Sequence, residues 1–452
     1  MTIEDREFDA IVVGSGPGGA TVARQLAKQG RRVLILEWGS EAPIEGTFGQ
    51  FVSMAGVPGK SLLLTSDLLA VVRGITTGGS SVFYYATAFD PPLEMLRSHG
   101  LDISEEVEEA RGELPIAPLS DELLGPMAAR IMSSAQELGY DWQKLPKFIY
   151  QDRCKEACWR CNYGCPYGAK WNARMFVDDA VSNGAVLVSG AKVNKVIAED
   201  GQATGVEFRR KGSRHRAFGS SVVISAGGIG SPVILRQSGI KNAGYDFFFD
   251  PLICVMGTVD DISGGTEIPM AAGVHMEDEG YLMTDMTMPR LLQIGLAAQV
   301  FRFHKLLSHP RTLQIMIKAK DDLGGHLTDL GGVRKKLPES DEEKLNRGYE
   351  RAKRILANAG AKGIYRTRYL AAHPGGTVKV GDVIDANLET EIRNLYVCDC
   401  SVIPEAWGLP PTLTLIGLGK RLAKHLAATR EDTLATPARE YAEQPRAAQA
   451  SG

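Results

Sequence analysis

Phe8 to Val13, apolar throughout its second half, opens directly into Gly14-Ser-Gly16-Pro-Gly-Gly19, and no other junction limits the fold of this chain as strongly. An apolar run without polar alternation suits a parallel strand buried on both faces. The residues after the glycines place Ala20, Ala23 and Ala27 on one helical face, with Gly30 as a C-terminal stop. Val33 to Leu36 is a second buried strand and ends at Glu37. Strand, turn, helix and strand within about 30 residues make one βαβ unit. In that context the Gly-x-Gly-x-x-Gly spacing reads as a dinucleotide fingerprint, which the glycines alone would not establish. Gly14 permits the tight turn, Gly16 lets the backbone approach a pyrophosphate at the helix N-terminus, and Gly19 allows close helix–strand packing. Glu37 would accept hydrogen bonds from a ribose diol.

The chain has 452 residues, enough for two or three domains. A formal charge of −3 gives no electrostatic reason for a nucleic-acid partner. No apolar run reaches the roughly 18 residues of a membrane span. The opening MTIEDREFDA is acidic and lacks an apolar core, unlike a secretory signal. Seven cysteines in a chain of this size make a poor disulfide framework, and a reducing cytoplasm is the compartment that fits.

Residues 91–150 read as helices and loops laid over the first module. Parallel-strand character returns at 185–198 and 221–225, then a strand at 395–400 and a helix at 413–427. Between 241 and 372 the pattern loosens into Gly-rich turns and a stretch with Met270, Met276, Met283, Met286 and Met288. Leu337 to Ala359 alternates charge at helical spacing and reads as a solvated helix. The segment after Arg430 is polar and rich in Pro and Ala, the composition of a flexible tail.

Further small-residue motifs follow in order: Gly74-Ile-Thr-Thr-Gly78-Gly79-Ser80-Ser81, Ala226-Gly-Gly-Ile-Gly-Ser231-Pro232 with Ser238-Gly239-Ile240, His373-Pro-Gly-Gly-Thr377, and Leu395-Tyr-Val-Cys-Asp399-Cys-Ser401-Val-Ile-Pro404. A long isoalloxazine-bearing cofactor needs contacts from several distant segments, which favours FAD over NAD. With the opening fingerprint, the array resembles the glucose–methanol–choline (GMC) family of FAD oxidoreductases. The resemblance covers roughly 1–90, 150–240 and 373–428. It implies an α/β chain with a Rossmann-like FAD-binding domain from 1–90, 150–240 and 373–430. A smaller α+β substrate domain would come from 91–149 and 241–372, and a flexible tail from 431–452.

The resemblance also implies backbone contacts to FAD from Gly14, Gly16, Gly18 and Gly19, with Glu37 on the adenosine ribose. It puts Gly78, Gly79 and Ser80 beside pyrophosphate and flavin, Val193 near the adenine, and Asp399 near the ribityl–pyrophosphate region. The last helix would aim its N-terminus, at Thr412 and Leu413, toward the flavin, where a positive helix end stabilises an anionic reduced ring.

Oxidising an alcohol by hydride transfer leaves a hydroxyl proton for some group to accept, and histidine suits that task near neutral pH. Of eight histidines only His373 stands in a motif, at the position of the family's catalytic histidine. The family pairs it with a second His or Asn before the last helix. Here Leu409-Pro-Pro-Thr412-Leu-Thr414 puts Thr412 there, a hydroxyl that can hydrogen-bond a substrate oxygen but is no base near neutrality. Tyr84 stands about where the family has an Asn. Both departures leave His373 to carry the proton chemistry alone.

Cys154, Cys158, Cys161 and Cys165 lie within twelve residues and run into Pro166. The spacing is close to that of ferredoxin-type cluster ligands, so a [4Fe–4S] or [3Fe–4S] cluster is expected there. A structural zinc and no metal at all are the alternatives, since cysteines also pack as small apolar residues. A similar cysteine segment in some bacterial FAD glucose dehydrogenases of the family favours the cluster. These readings converge on a dehydrogenase that oxidises the CH–OH group of an alcohol or sugar-like small molecule. Its electrons would pass through the cluster to an acceptor protein or a quinone. A reductase or dehydrogenase acting on a carbon–carbon bond, and an electron-transfer subunit of a larger complex, are the competing assignments.

Overall fold

The computed structural model describes residues 6–66 and 69–435, so the tail expected beyond Arg430 falls largely outside the described residues. At its centre is a five-stranded parallel sheet. The strands lie in the order Leu395–Val397, Val222–Ile224, Ala10–Val13, Val33–Leu36 and Val186–Val188. Every residue of Ala10–Val13 and Val33–Leu36 is buried, as unalternated apolar runs require. Helix Pro17–Lys28 starts with Pro17, where no amide hydrogen is needed, and buries Ala20, Ala23 and Ala27. Helix Thr412–Ala435 lies against it at a close approach. A Cβ at Gly419 would sit 2.7 Å from the Thr21 Cβ and 2.8 Å from the Gly18 oxygen.

Residues 185–198 are not one parallel strand. Val186–Val188 joins the central sheet, and the chain then turns at Gly190, with φ +69°. From there Lys192–Glu199, Gln202–Arg210 and Ser213–Gly219 form an antiparallel meander, with Glu7–Phe8 added parallel on its edge. Asp200-Gly201 and Lys211-Gly212 make its two turns, all four residues at positive φ, which is the geometry of tight two-residue hairpins.

A second sheet of nine strands is built around Pro251–Thr258, Thr312–Ala319, Tyr281–Asp285 and Ala272–Met276. Leu62–Leu64, Ala70–Val72 and Leu370–Ala371 extend one of its edges. Side-chain alternation gives this sheet two faces. One buries Ile253, Val255, Ile315 and Ile317 against Leu345, Ala352, Ile355 and Leu356 of helix Glu339–Asn358. The charge pattern of that helix therefore conceals a buried stripe, and only its other side is solvated. The opposite face gathers Leu252, Cys254, Met256 and Met316 with Met270, Met286 and Met288. The same alternation puts Lys318 on that face. No helix among the described residues is long and apolar enough to cross a membrane.

Helix Pro126–Glu137 has no side-chain cap from its own N-terminal residue. Glu267 supplies one from a distant segment, accepting the N–H groups of Met127 at 3.1 Å and Ala128 at 3.2 Å. Glu267→Ala should destabilise the protein by about 1–2 kcal/mol, and Glu267→Gln, which keeps an acceptor, by less. Urea midpoints of the two variants check the order.

Candidate active site

The glycine-rich turns meet beyond the carboxyl ends of the parallel strands, where open α/β sheets bind ligands. Ser225 ties them together, its N–H donating to the Val13 oxygen at 2.7 Å and its hydroxyl to the Cys398 oxygen at 2.8 Å. A Cβ at Gly14 would fall 2.2 Å from the Ser225 oxygen, one at Gly18 2.1 Å from the Cys398 oxygen, and one at Gly19 2.4 Å from the Gly14 oxygen. The chain's own packing demands these three glycines. Gly16 differs, because a Cβ there meets nothing within 4 Å. An open cradle at the N-terminus of helix Pro17–Lys28 is the shape a pyrophosphate needs, so these residues fit FAD.

Glu37 is buried behind that cradle. It accepts the Ser15 N–H at 3.1 Å, the Ser15 hydroxyl at 2.6 Å and the Gly39 N–H at 2.6 Å. Burial raises its pKa, while these donors and Lys60 oppose the rise. A carboxylate has further lone pairs for a ribose diol. The Ser15 hydroxyl also accepts the Gly78 N–H at 3.0 Å, which brings the second glycine turn to the first. Gly78 and Gly79 are left-handed, at φ +93° and +59°, and a Cβ at Gly79 would stand 3.1 Å from the Gly16 Cα. The Ser80 hydroxyl accepts the Gly74 N–H at 2.9 Å and fixes this turn.

Val193 is buried at the start of its strand, two residues after Ala191, whose N–H donates to the Glu37 oxygen at 2.8 Å. Asp399 accepts the Ser401 N–H at 2.8 Å, the Gly227 N–H at 2.8 Å and the Ser231 hydroxyl at 2.5 Å. It thereby joins its own loop to the N-terminus of helix Gly227–Gln237. Lys60, Arg73 and Lys192 surround the Trp38 ring at 5.1, 5.6 and 4.5 Å, a cationic collar beside Glu37. Nothing in their sequence spacing links these four residues.

His373 lies in a loop held to the Asp399 segment, where Gly376 N–H donates to the Cys400 oxygen at 3.1 Å and Val378 N–H to the Ser401 oxygen at 2.8 Å. Its Nδ1 is 3.0 Å from Asp250 Oδ2 and 3.3 Å from Lys318 Nζ. Lys318 and Asp250 form an ion pair at 3.2 Å, each side chain 1% exposed. His373 and Asp250 both take left-handed backbone, φ +43° and +45°, and strain of this kind collects at functional sites. Asp321 accepts the Phe249 and Asp250 N–H groups at 3.1 and 3.0 Å and holds that turn. Thr412 is buried at the first residue of the last helix, with Leu413 beside it. Among the described residues the imidazole's hydrogen-bond partners are Asp250 and Lys318, not Thr412.

The cysteine loop takes a different form from the one expected. Cys161 and Cys165 are buried and Cys154 and Cys158 half-buried, all as free thiols. Burial pushes Cys154 up to about 12 and Cys161 up to about 11, with neighbouring thiols adding to both, so the sulfurs lie within electrostatic reach of one another. Three of the four are nevertheless drawn to separate partners. Cys158 Sγ accepts the Arg160 N–H at 3.5 Å, Cys165 Sγ accepts the Lys170 N–H at 3.4 Å, and Cys154 Sγ reaches the Lys155 oxygen at 3.9 Å. Lys170 pins the loop by donating to the Cys161, Val82 and Tyr84 oxygens. Among the described residues no three His, Cys, Asp or Glu side chains form a group that could hold a metal, so the loop as folded presents no preformed cluster site.

The contrast between glycines yields a prediction. Gly16→Val should fold, because its side chain enters open space, but purify without flavin. Gly18→Ala should lose stability through its collision with the Cys398 carbonyl. Flavin absorbance and thermal melting of the two variants separate these effects.

Known proteins resemble this chain in sequence and in fold. Sequence profiles of the GMC oxidoreductases match residues 8–253 and 304–419. A GMC-type oxidoreductase of Mycobacterium tuberculosis is 26% identical over 93% of this chain and 76% of its own. A protein of Methanocaldococcus jannaschii is 28% identical over 93% of this chain and all of its own. A long-chain-alcohol oxidase of Arabidopsis thaliana is 26% identical over 90% of this chain and 65% of its own. Among solved structures, pyridoxine 4-oxidase from Mesorbium loti superposes with a TM-score of 0.73 at 15% identity, covering 93% of this chain and 99% of its own. Formate oxidase of Aspergillus oryzae does so at 0.73 and 15%, covering 95% and 99%. The cradle at Gly16, the buried Glu37 and these matches together make the chain a member of the GMC oxidoreductase family, an FAD-dependent oxidoreductase.

Proposed function

We propose that the chain oxidises the CH–OH group of a small alcohol-like molecule with an apolar body, His373 taking the hydroxyl proton. The observation that carries this reading is an imidazole engaged by Asp250 at Nδ1, with no described residue bonded to Nε2. FAD, when bound, supplies the hydride acceptor. A proton on Nδ1, donated to Asp250, leaves the Nε2 lone pair free to act as base. Burial and Lys318 lower the His373 pKa while Asp250 opposes them, so the ring stays neutral near pH 7. Lys318 matches the charge of Asp250, which would otherwise be buried alone.

The apolar body follows from the neighbourhood. Ala372, next to His373, packs on the cluster of Met270, Met286, Met288, Met316 and Leu409. The names long-chain-alcohol oxidase and pyridoxine 4-oxidase among the similar proteins support the same class of donor.

A second, narrower reading concerns the cysteine loop. Four cysteines within twelve residues, buried or half-buried in one loop, support an iron–sulfur cluster on Cys154, Cys158, Cys161 and Cys165, for which the loop would have to rearrange. Stoichiometric iron and acid-labile sulfide in anaerobically purified protein would support the cluster, and iron-free protein with full substrate-driven flavin reduction would remove it.

His373→Ala should slow anaerobic flavin reduction by n-alkan-1-ols about 10²–10⁴-fold. An unchanged rate would take His373 out of the reaction. In the native enzyme the rate should be full above the lowered His373 pKa and fall as pH drops through it. Lys318→Met removes a lowering charge and should move that acid limb to higher pH. Asp250→Asn removes a raising one and should move it to lower pH, with a reduced plateau. Stopped-flow pH profiles of the two variants check the opposite directions.

A further inference from the structure

Residues 286–320 hold none of the chain's 54 acidic side chains, yet contain Arg290, Arg302, His304, Lys305 and Arg311. Helix Arg290–Ala298 and the turns after it lie in this stretch. They leave Phe301 72%, Phe303 59% and Leu307 79% exposed, with Leu291 half out. The Phe301 and Phe303 rings meet edge to face at 6.2 Å and form one aromatic tip. Phe301 occupies left-handed backbone, φ +58°, a position that normally falls to glycine. Apolar side chains clustered this far into solvent mark a surface made for contact.

The other side of the helix points inward. Leu292, Leu296 and Val300 pack on the Met-rich cluster that reaches Ala372 beside His373. The charged groups around the tip are largely cationic. Arg290, Arg302 and His304 are exposed, and Lys305 donates to the Thr258 hydroxyl at 3.0 Å. The nearby acids are already matched, Asp260 by Arg311 at 3.5 Å and Lys362 at 3.3 Å, and Asp261 by Arg130 at 3.1 Å.

We propose that this face docks on an anionic lipid bilayer. Phe301, Phe303 and Leu307 enter the acyl boundary, and Arg290, Arg302 and His304 meet the headgroup phosphates. Side chains standing this free of the body suit a fluid apolar phase, which needs no shaped pocket, and a basic rim whose nearby acids are ion-paired suits a negative surface. Docked this way, the helix has lipid on one side and the wall of the apolar cluster on the other.

The test is sedimentation of the flavin-loaded enzyme with extruded vesicles of phosphatidylcholine alone, or of phosphatidylcholine and phosphatidylglycerol at roughly three to one. The enzyme should pellet with the mixed vesicles, and binding should weaken as salt rises. Phe301→Ser and Phe303→Ser should each lower binding about tenfold while flavin content and melting temperature hold. Failure to pellet with the mixed vesicles overturns the proposal, as does equal binding to both vesicle types. A dimer in analytical ultracentrifugation that Phe301→Ser dissociates, without vesicle binding by the native enzyme, assigns the face to self-association and overturns it too.

Discussion

The ends of three parallel strands close on Ser225 so tightly that no side chain fits at Gly14, Gly18 or Gly19. Everything at the nucleotide end follows from that contact. It presses helix Pro17–Lys28 against the strands at 13, 225 and 398, which leaves Gly16 at the mouth with nothing in front of it. It also brings Ser15 under Gly78 and over Glu37, so a single hydroxyl connects three segments that are far apart in the chain. The open space at Gly16 is the remainder of a close fit elsewhere.

The parts of this arrangement that were legible in the sequence are those whose cause is local. A turn that needs glycine, a helix opening on it and a strand ending in an acid are all written within about 30 residues. The meander at 192–219 was equally written, in Asp200-Gly201 and Lys211-Gly212, but the apolar run before it drew the reading toward a longer parallel strand. The stripe on Glu339–Asn358 went unseen because charged residues dominate the composition of that helix while four buried apolar side chains decide its packing. The cysteine spacing set an expectation of convergence on a metal, whereas in the fold backbone amides engage two of the sulfurs separately and Lys170 pins the loop through the Cys161 oxygen.

Asp250 and Lys318 were invisible for another reason. Each is a lone charge at the end of an apolar strand, and their meeting depends on a register, Leu252 opposite Lys318, that joins residues 66 positions apart. A signal did exist. Lys318 falls on the same alternation as Gln314 and Met316, so a buried cation on that face required an anion from a neighbouring strand.

Comparison with the other buried lysines shows what is particular about this one. Lys147 and Lys170 end mainly on backbone oxygens, and Lys335 on the Phe247 and Asp322 oxygens and Asp321. Those contacts fix loops and have no reason to change during a reaction. Lys318 ends on a carboxylate and an imidazole, and the two contacts of His373 Nδ1, to Asp250 and to Lys318, exclude each other. When Nδ1 carries the proton it donates to Asp250, and Lys318 can hold only the carboxylate. When Lys318 donates to Nδ1, the proton must sit on Nε2 and the ring is no longer a base. Charging the imidazole strengthens the Asp250 contact and opposes the Lys318 one. The ion pair thus keeps the ring neutral at rest while leaving it one favourable partner for the proton it accepts.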